Sequence, residues 1–220
     1  MMKNSEGVIV IGAGGHGRVI LDLLHVLELA ERSVIVDANP TLRGSRILGI
    51  PVDGGDDRIP HLLAEGFRKF VVAIGGVGLS SLRRKLFDQA QRFGLTPFLL
   101  RHPSSCCSRF AHLGDSSQIL AAVVVSAEAE IGENCILNTG AIIEHNCVLG
   151  SDVHVAPGAR LMGNVKVGCQ VHVGAGATVC ENLTIGDRAV VGAGAVVVRN
   201  VPTNAVVVGV PAREIRRNAT

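Results

Sequence analysis

Histidine exchanges its proton closer to neutral pH than any other side chain. His145, in Glu144-His145-Asn146, is therefore a candidate general base. Asn138 stands seven residues earlier in Ile136-Leu-Asn-Thr139. It could reach the same cleft, or it could serve structurally by stacking on other polar residues. His154 and His172 lie eighteen residues apart. A second group of candidates is the glycine series Gly12-Ala-Gly-Gly-His-Gly17, which follows an apolar run, with Asp37 twenty residues beyond Gly17. Gly12, Gly14 and Gly17 have the spacing of a dinucleotide fingerprint, so a nicotinamide-dependent oxidoreductase has to be considered. Glycines at a helix N-terminus will, however, take any phosphate. The six cysteines (106, 107, 135, 147, 169 and 180) contain no C-x-x-C pair, so no structural zinc site and no metal is expected.

The elements that position these residues fall into two parts of different period, with the boundary expected at 104/105. Residues 1–104 alternate strands and helices. Gly7–Gly12, Val34–Asp37 and Phe70–Gly75 read as strands, and Thr96–Leu100 as a closing strand. Arg18–Ala30 reads as a helix, with apolar residues at Val19, Ile20, Leu23, Leu24 and Leu27, and Leu82–Phe93 as another. Such alternation implies a parallel sheet. The unit has about half the length of a full doubly wound dinucleotide domain, and no separate domain for hydride transfer follows it.

From Leu113 an aliphatic residue returns every six positions. The series runs Leu113, Ile119, Val125, Ile131, Leu137, Ile143, Leu149, Val155, Leu161, Val167, Val173, Val179, Ile185, Val191, Val197. Glycine often follows it, as at Gly132, Gly150 and Gly168, and a second position in each hexad is small or aliphatic. A six-residue repeat of this kind predicts a β-helix over 105–220: each hexad gives a short strand and a turn, three hexads close a coil, and coils stack at about 4.8 Å. One side chain per hexad is expected to point fully inward. His145 stands between Ile143 and Cys147 and need not fill that interior, and His172 lies one full coil above His154.

Composition agrees. Trp and Tyr are absent and only 6 Phe occur, which suits a narrow aliphatic shaft. A net charge of +2 gives no reason to expect nucleic acid or an acidic membrane surface as a partner. No segment approaches the roughly 20 apolar residues that cross a bilayer, and no signal peptide is recognised, so no membrane insertion and a cytoplasmic location are expected.

The hexad ladder closed by Val208-Gly-Val-Pro-Ala-Arg213, the N-terminal Gly12–Gly17 unit, and the segments around Asn138, His145 and His154 together resemble one group of left-handed β-helix acyltransferases. These are the bacterial sugar acetyltransferases that include the bacillosamine and perosamine N-acetyltransferases and the sialic acid O-acetyltransferases. The resemblance implies a homotrimer that moves an acetyl group from acetyl-CoA to the amine of a nucleotide-linked 4-amino-4,6-dideoxy sugar, for a surface polysaccharide or other glycan. O-acetylation of a sialic acid is the alternative within the group, and a non-catalytic β-helix that only binds a nucleotide-sugar is the alternative outside it. It also implies roles for particular residues. Gly14, Gly15 and His16 meet the UDP- or GDP-linked sugar, Asp37 its nucleoside, and Gly75 lines the same pocket. His145 takes the amine proton, with Asn146 after it to orient the ring, and backbone N–H groups are expected to meet the oxyanion; Asn138 keeps the two readings given above. His154, Ala175 and Ala193 line the acetyl-CoA groove.

The sequence departs from the group at three points. Ala38 stands where a second acid follows the aspartate in the bacillosamine enzymes. Gly76-Val-Gly-Leu stands where relatives have a polar turn. Asn146 stands where relatives place an acid directly after the histidine. An amide can orient the ring but cannot stabilise an imidazolium by charge.

Overall fold

The computed structural model describes residues 7–76 and 80–217. Backbone packing divides it into two compact units, one of residues 7–75 with 82–98, the other made mainly of residues from 99 onward. The Gly76-Val-Gly-Leu departure falls largely on residues 77–79, outside the described residues.

The first unit is a six-stranded sheet of β1 (Gly7–Ile11), β2 (Ser33–Val36), β3 (Arg46–Ile47), β4 (Ile50–Gly54), β5 (Phe67–Val72) and β6 (Thr96–Pro97), in the order β3-β4-β2-β1-β5-β6. Three helices accompany it: α1 (Gly15–Val26), α2 (Ile59–Ala64) and α3 (Ser80–Arg92). β1 pairs in parallel with both β2 and β5, and Ile9, Ile35 and Phe70 are fully buried, as central strands covered on both faces require. The strand order reverses between β1 and β5. Ligands in open α/β sheets bind at the carboxyl ends of strands beside such a reversal, which is where Gly12 and Ala73 lie.

Several boundaries differ from the sequence expectation. The helix expected from Arg18 starts at Gly15 and ends at Val26, and it buries Ile20, Leu21, Leu23 and Leu24 while Val19 faces solvent. The β3–β4 hairpin and α2 were not expected. Thr96–Pro97 closes the sheet, but Leu100–Arg101 pairs with Gln118–Ile119 and so belongs to the first coil of the shaft. The shaft therefore begins ahead of residue 105.

In the second unit, two-residue strands repeat every six residues from Cys106–Cys107 to Val196–Val197 and pair in parallel across an eighteen-residue offset. Gln118–Ile119, Ile136–Leu137, His154–Val155, His172–Val173 and Val190–Val191 stack on one face, and two further sheets form the others. The second residue of each strand is the aliphatic ladder. The interior holds more than that ladder. Cys135, Ala141, Cys147, Val153 and Ala159, each two residues before the next ladder position, are buried just as completely, so two side chains per hexad fill the shaft. The expectation of one fails because the corner brings the backbone back towards the axis before the next strand begins.

Each corner places one residue in the left-handed region. Glu128, Asn146, Asn164 and Asn182 at one corner and Asn134 and Asp152 at another have φ between 54° and 61°, and Gly140, Gly158, Gly176 and Gly194 take the same role at the third. Asparagine and glycine tolerate this conformation best, which accounts for glycine returning every eighteen residues at one corner and asparagine at another. At Gly132 the constraint is proximity instead: a Cβ would fall 2.6 Å from the carbonyl carbon of Gly150 in the next coil. A hairpin of Ala205–Val208 with Arg213–Arg217 ends the described shaft.

Candidate functional site

In the first unit the glycines have separate physical duties. Gly12 has φ of 109°, and a Cβ on Gly17 would fall 2.5 Å from the Gly12 carbonyl oxygen, so these two allow α1 to start directly off β1. Gly14 and Gly15 have open space where a side chain would be. They cap and open α1, and no acidic residue occupies its first turn. The result is an uncovered helix N-terminus, which suits an anion.

Asp37 at the end of β2 braces this loop. Its Oδ2 accepts from the Ala13 N–H at 2.7 Å and its Oδ1 from the Asn39 N–H at 2.8 Å. The Asp37 N–H donates to the Gly54 carbonyl at 2.8 Å. Ala38 is exposed beside it. Beyond β5, Gly75 lies beneath His16, whose Cγ would be 3.0 Å from a Cβ placed there. The structure thus brings Gly14, Gly15, His16, Asp37 and Gly75 to one end of the sheet.

In the shaft, His145 is exposed at a corner, just before the left-handed Asn146. Its Nδ1 is 2.9 Å from Asn146 Oδ1, and Asn146 Nδ2 donates to Glu128 Oε2 at 2.6 Å. Glu128 is the residue sequence reasoning missed. It stands one coil below Asn146, and the eighteen-residue offset was the signal that could have found it. Glu144 faces away and accepts from Ser126 Oγ at 3.1 Å. Gly163, one coil above, leaves room for the ring. A shallow depression lined by Phe110, Glu128, Glu130, Asn146, Val148 and Asn164 adjoins this corner.

Asn138 is placed elsewhere. Its Nδ2 is 3.3 Å from His154 Nε2, and its Oδ1 accepts from the Thr139 N–H at 2.9 Å. The expectation that it shares a cleft with His145 is thus not met within this chain, because the two residues follow strands of different sheets. His154 is in register with His172, and the two rings meet edge to face at 4.8 Å, both nearly buried. Ala175 and Ala193 are exposed at the corner that follows the His154 face, stacked so that the Gly194 N–H donates to the Ala175 carbonyl at 2.8 Å. With Gly176 and Gly194 beside them, this corner presents mostly backbone, where a narrow ligand can approach closely. Among the described residues no group of three or more His, Cys, Asp or Glu is placed to hold a metal, and no helix is long and apolar enough to cross a membrane.

Comparison with known proteins agrees with this division. The PglD N-terminal domain family matches residues 7–90, and the bacterial transferase hexapeptide family matches residues 128–163 and 164–199. No curated protein sequence matches the chain significantly. Solved structures match over nearly the whole chain. PerB from Caulobacter crescentus, in complex with CoA and GDP-perosamine, has 38% identity and a TM-score of 0.89, with 96% of this chain and 97% of that chain covered. The acetyltransferase domain of PglB from Neisseria gonorrhoeae, in complex with acetyl coenzyme A, has 34% identity and a TM-score of 0.87, with 96% and 100% covered. WeeI from Acinetobacter baumannii has 26% identity and a TM-score of 0.84 over the same shares. An α/β unit ahead of a hexapeptide shaft, matched end to end by such proteins, makes this chain a member of the left-handed β-helix sugar acetyltransferases.

Proposed function

We propose that this protein transfers the acetyl group of acetyl-CoA to the amine of a nucleotide-linked 4-amino-4,6-dideoxy sugar, with His145 as the general base. The observation that carries the reading is the hydrogen bond of His145 through Nδ1 to Asn146, which leaves Nε2 to accept a proton. An exposed corner histidine held in this way has no packing duty, and amide formation needs a base of this kind. The relative from Caulobacter crescentus binds GDP-perosamine and CoA and is named a perosamine N-acetyltransferase, which favours an amine over a hydroxyl as acceptor.

The sugar nucleotide is held by the first unit, its diphosphate at the open N-terminus of α1 over Gly14 and Gly15, with His16 and Gly75 beside it. Asp37 keeps the loop in place, and its remaining lone pairs can meet the nucleoside. Acetyl-CoA lies along the backbone-rich corner at Ala175 and Ala193, next to His154. In the reaction the amine nitrogen attacks the thioester carbonyl as Nε2 of His145 takes its proton. The tetrahedral intermediate then collapses, breaking the carbon–sulfur bond and releasing CoA thiolate, which the protonated imidazole can neutralise.

His145 and His154 stand on different faces of the shaft, so one subunit does not assemble both halves of this site. A homotrimer of parallel shafts, each face meeting a neighbour's corner, completes it. Acetyl-CoA and nucleotide-sugars are cytoplasmic metabolites, so we place the enzyme there, in the synthesis of a surface polysaccharide or glycan. The direct test is mass spectrometry of products from acetyl-CoA with UDP-, GDP- and dTDP-linked 4-amino sugars and free sialic acid. A product heavier by one acetyl group on a nucleotide amino sugar supports the reading. Acetylation of sialic acid alone overturns it. Light scattering that gives a monomer at micromolar concentration contradicts the shared site.

A further inference from the structure

The structure assigns to Glu128 the role of fixing the tautomer of His145 through the side chain of Asn146. This rests on the reading of His145 as the base. The chain lacks the acid that relatives place directly after this histidine, yet a carboxylate is present two hydrogen bonds away. Asn146 Nδ2 donates to Glu128 Oε2 at 2.6 Å, and Asn146 Oδ1 faces His145 Nδ1 at 2.9 Å.

The direction of this relay follows from chemistry. A carboxylate accepts hydrogen bonds and does not donate them, so the Asn146 amide must turn its NH₂ group to Glu128. Its carbonyl oxygen then faces the imidazole and can only accept. His145 must therefore carry its ring proton on Nδ1, which leaves Nε2 with a lone pair. Were Glu128 neutral or absent, the amide could flip, donate to Nδ1 and hold the proton on Nε2, the form that cannot act as base. The imidazolium formed in the reaction still donates from Nδ1 to the same oxygen, so the relay survives proton transfer.

The geometry belongs to the coil. Glu128 and Asn146 are left-handed corner residues at φ of 60° and 58°, one above the other, and the Asn146 N–H donates to the Ala127 carbonyl at 3.1 Å. The next residue in the column, Asn164, turns its amide to Asn182 instead, at 2.8 Å. Glu128 is exposed and fills no core, so its contribution is to orientation rather than to folding.

Two variants separate these roles. Glu128→Gln keeps shape and hydrogen-bonding capacity but lets the Asn146 amide face either way. The double variant E128Q/N146D exchanges acid and amide between the two positions, so His145 again meets an acceptor. Heteronuclear NMR of protein with isotope-labelled histidine reads the ring tautomer without substrate. Steady-state kinetics with acetyl-CoA and GDP-perosamine read kcat and KM. We expect Nδ1–H in the native protein and a mixture in Glu128→Gln. For that variant kcat should fall about 10–100-fold, as for loss of a hydrogen bond to a charged group, with KM and melting temperature unchanged. The double variant should recover most of the loss. A native ring protonated on Nε2 overturns the assignment, and so does Glu128→Gln with native kcat or with a loss confined to stability. Full activity in His145→Ala would instead remove the base reading, while the tautomer measurement would still report on the relay.

Discussion

The Cα of Gly163 lies against the imidazole of His145 in the adjoining coil, so closely that a Cβ there would fall 2.7 Å from both Nε2 and Cε1. No other residue type fits without moving the ring. Because the ring is the free end of an exposed side chain, it would yield before the backbone does. Gly163→Ala should therefore leave the fold intact and displace the base. Misplacing a reacting group by about 1 Å can cost about 100-fold, and kcat of Gly163→Ala should fall on that order. Melting curves measured beside the kinetics separate this outcome from unfolding, and a native kcat would show that the ring is not used where it lies.

Asp37 is expected to act on binding alone. Its two carboxylate oxygens hold the Ala13 and Asn39 N–H groups, so Asp37→Ala releases the glycine loop from the end of β2. Two hydrogen bonds to a charged acceptor are lost, each worth about 1.5–3 kcal/mol. Calorimetry should show nucleotide-sugar affinity reduced by at least about tenfold. Acetyl-CoA affinity should stay as in the native protein, since its proposed groove is in the shaft. Equal losses for both ligands would indicate general unfolding, and no loss would show that the loop holds its shape unaided.

Much of this architecture is legible in the sequence. The six-residue ladder from Leu113 to Val197 is periodic and apolar, and a buried repeat of that length leaves few ways to fold. The left-handed corner series that includes Asn134, Asn146, Asn164 and Asn182 was not part of the sequence expectation. The eighteen-residue offset brings His154 and His172 together in the sequence, but it does not say which side chains bond across coils, as Asn146 does with Glu128. Glu128 and Gly163 flank the His145–Asn146 pair at offsets of about one coil, and nothing local in either residue marks it as a partner. That Asn138 could share a cleft with His145 was one of two readings the sequence left open. Nearness along the chain suggested it, but the two follow strands on different faces, and Asn138 meets His154, sixteen residues on. In the first unit the β3–β4 hairpin was overlooked because its strands are short and Pro51 interrupts the apolar pattern.

The cysteines provide a test of the shaft interior. Burial pushes the Cys147 thiol above the usual thiol range, with the nearby Glu144 carboxylate acting in the same direction, and its Sγ donates to the Met162 carbonyl at 3.1 Å. A thiol protonated in the folded state and ionised when unfolded makes stability fall as pH rises above the unfolded value, about 8.5. Alkylation with iodoacetamide at pH 8 should label the exposed Cys106 and Cys169 quickly and leave Cys135 and Cys147 unlabelled until the protein unfolds. Rapid labelling of Cys147 in the folded protein would mean that the coils open at that level. A Cys147→Ser variant should lose the alkaline part of this pH dependence.

If His145 removes the proton of the sugar amine, its loss is read in the turnover of His145→Ala with acetyl-CoA and the nucleotide amino sugar. The side chain is exposed and lies outside the packed interior, so thermal stability should change little. A general base contributes about 10²–10⁴-fold, and kcat should fall by that factor while calorimetric affinities for both substrates are retained. Turnover equal to that of the native protein, at saturating substrates and the same pH, would contradict the account: the amine would then lose its proton to solvent or to another group.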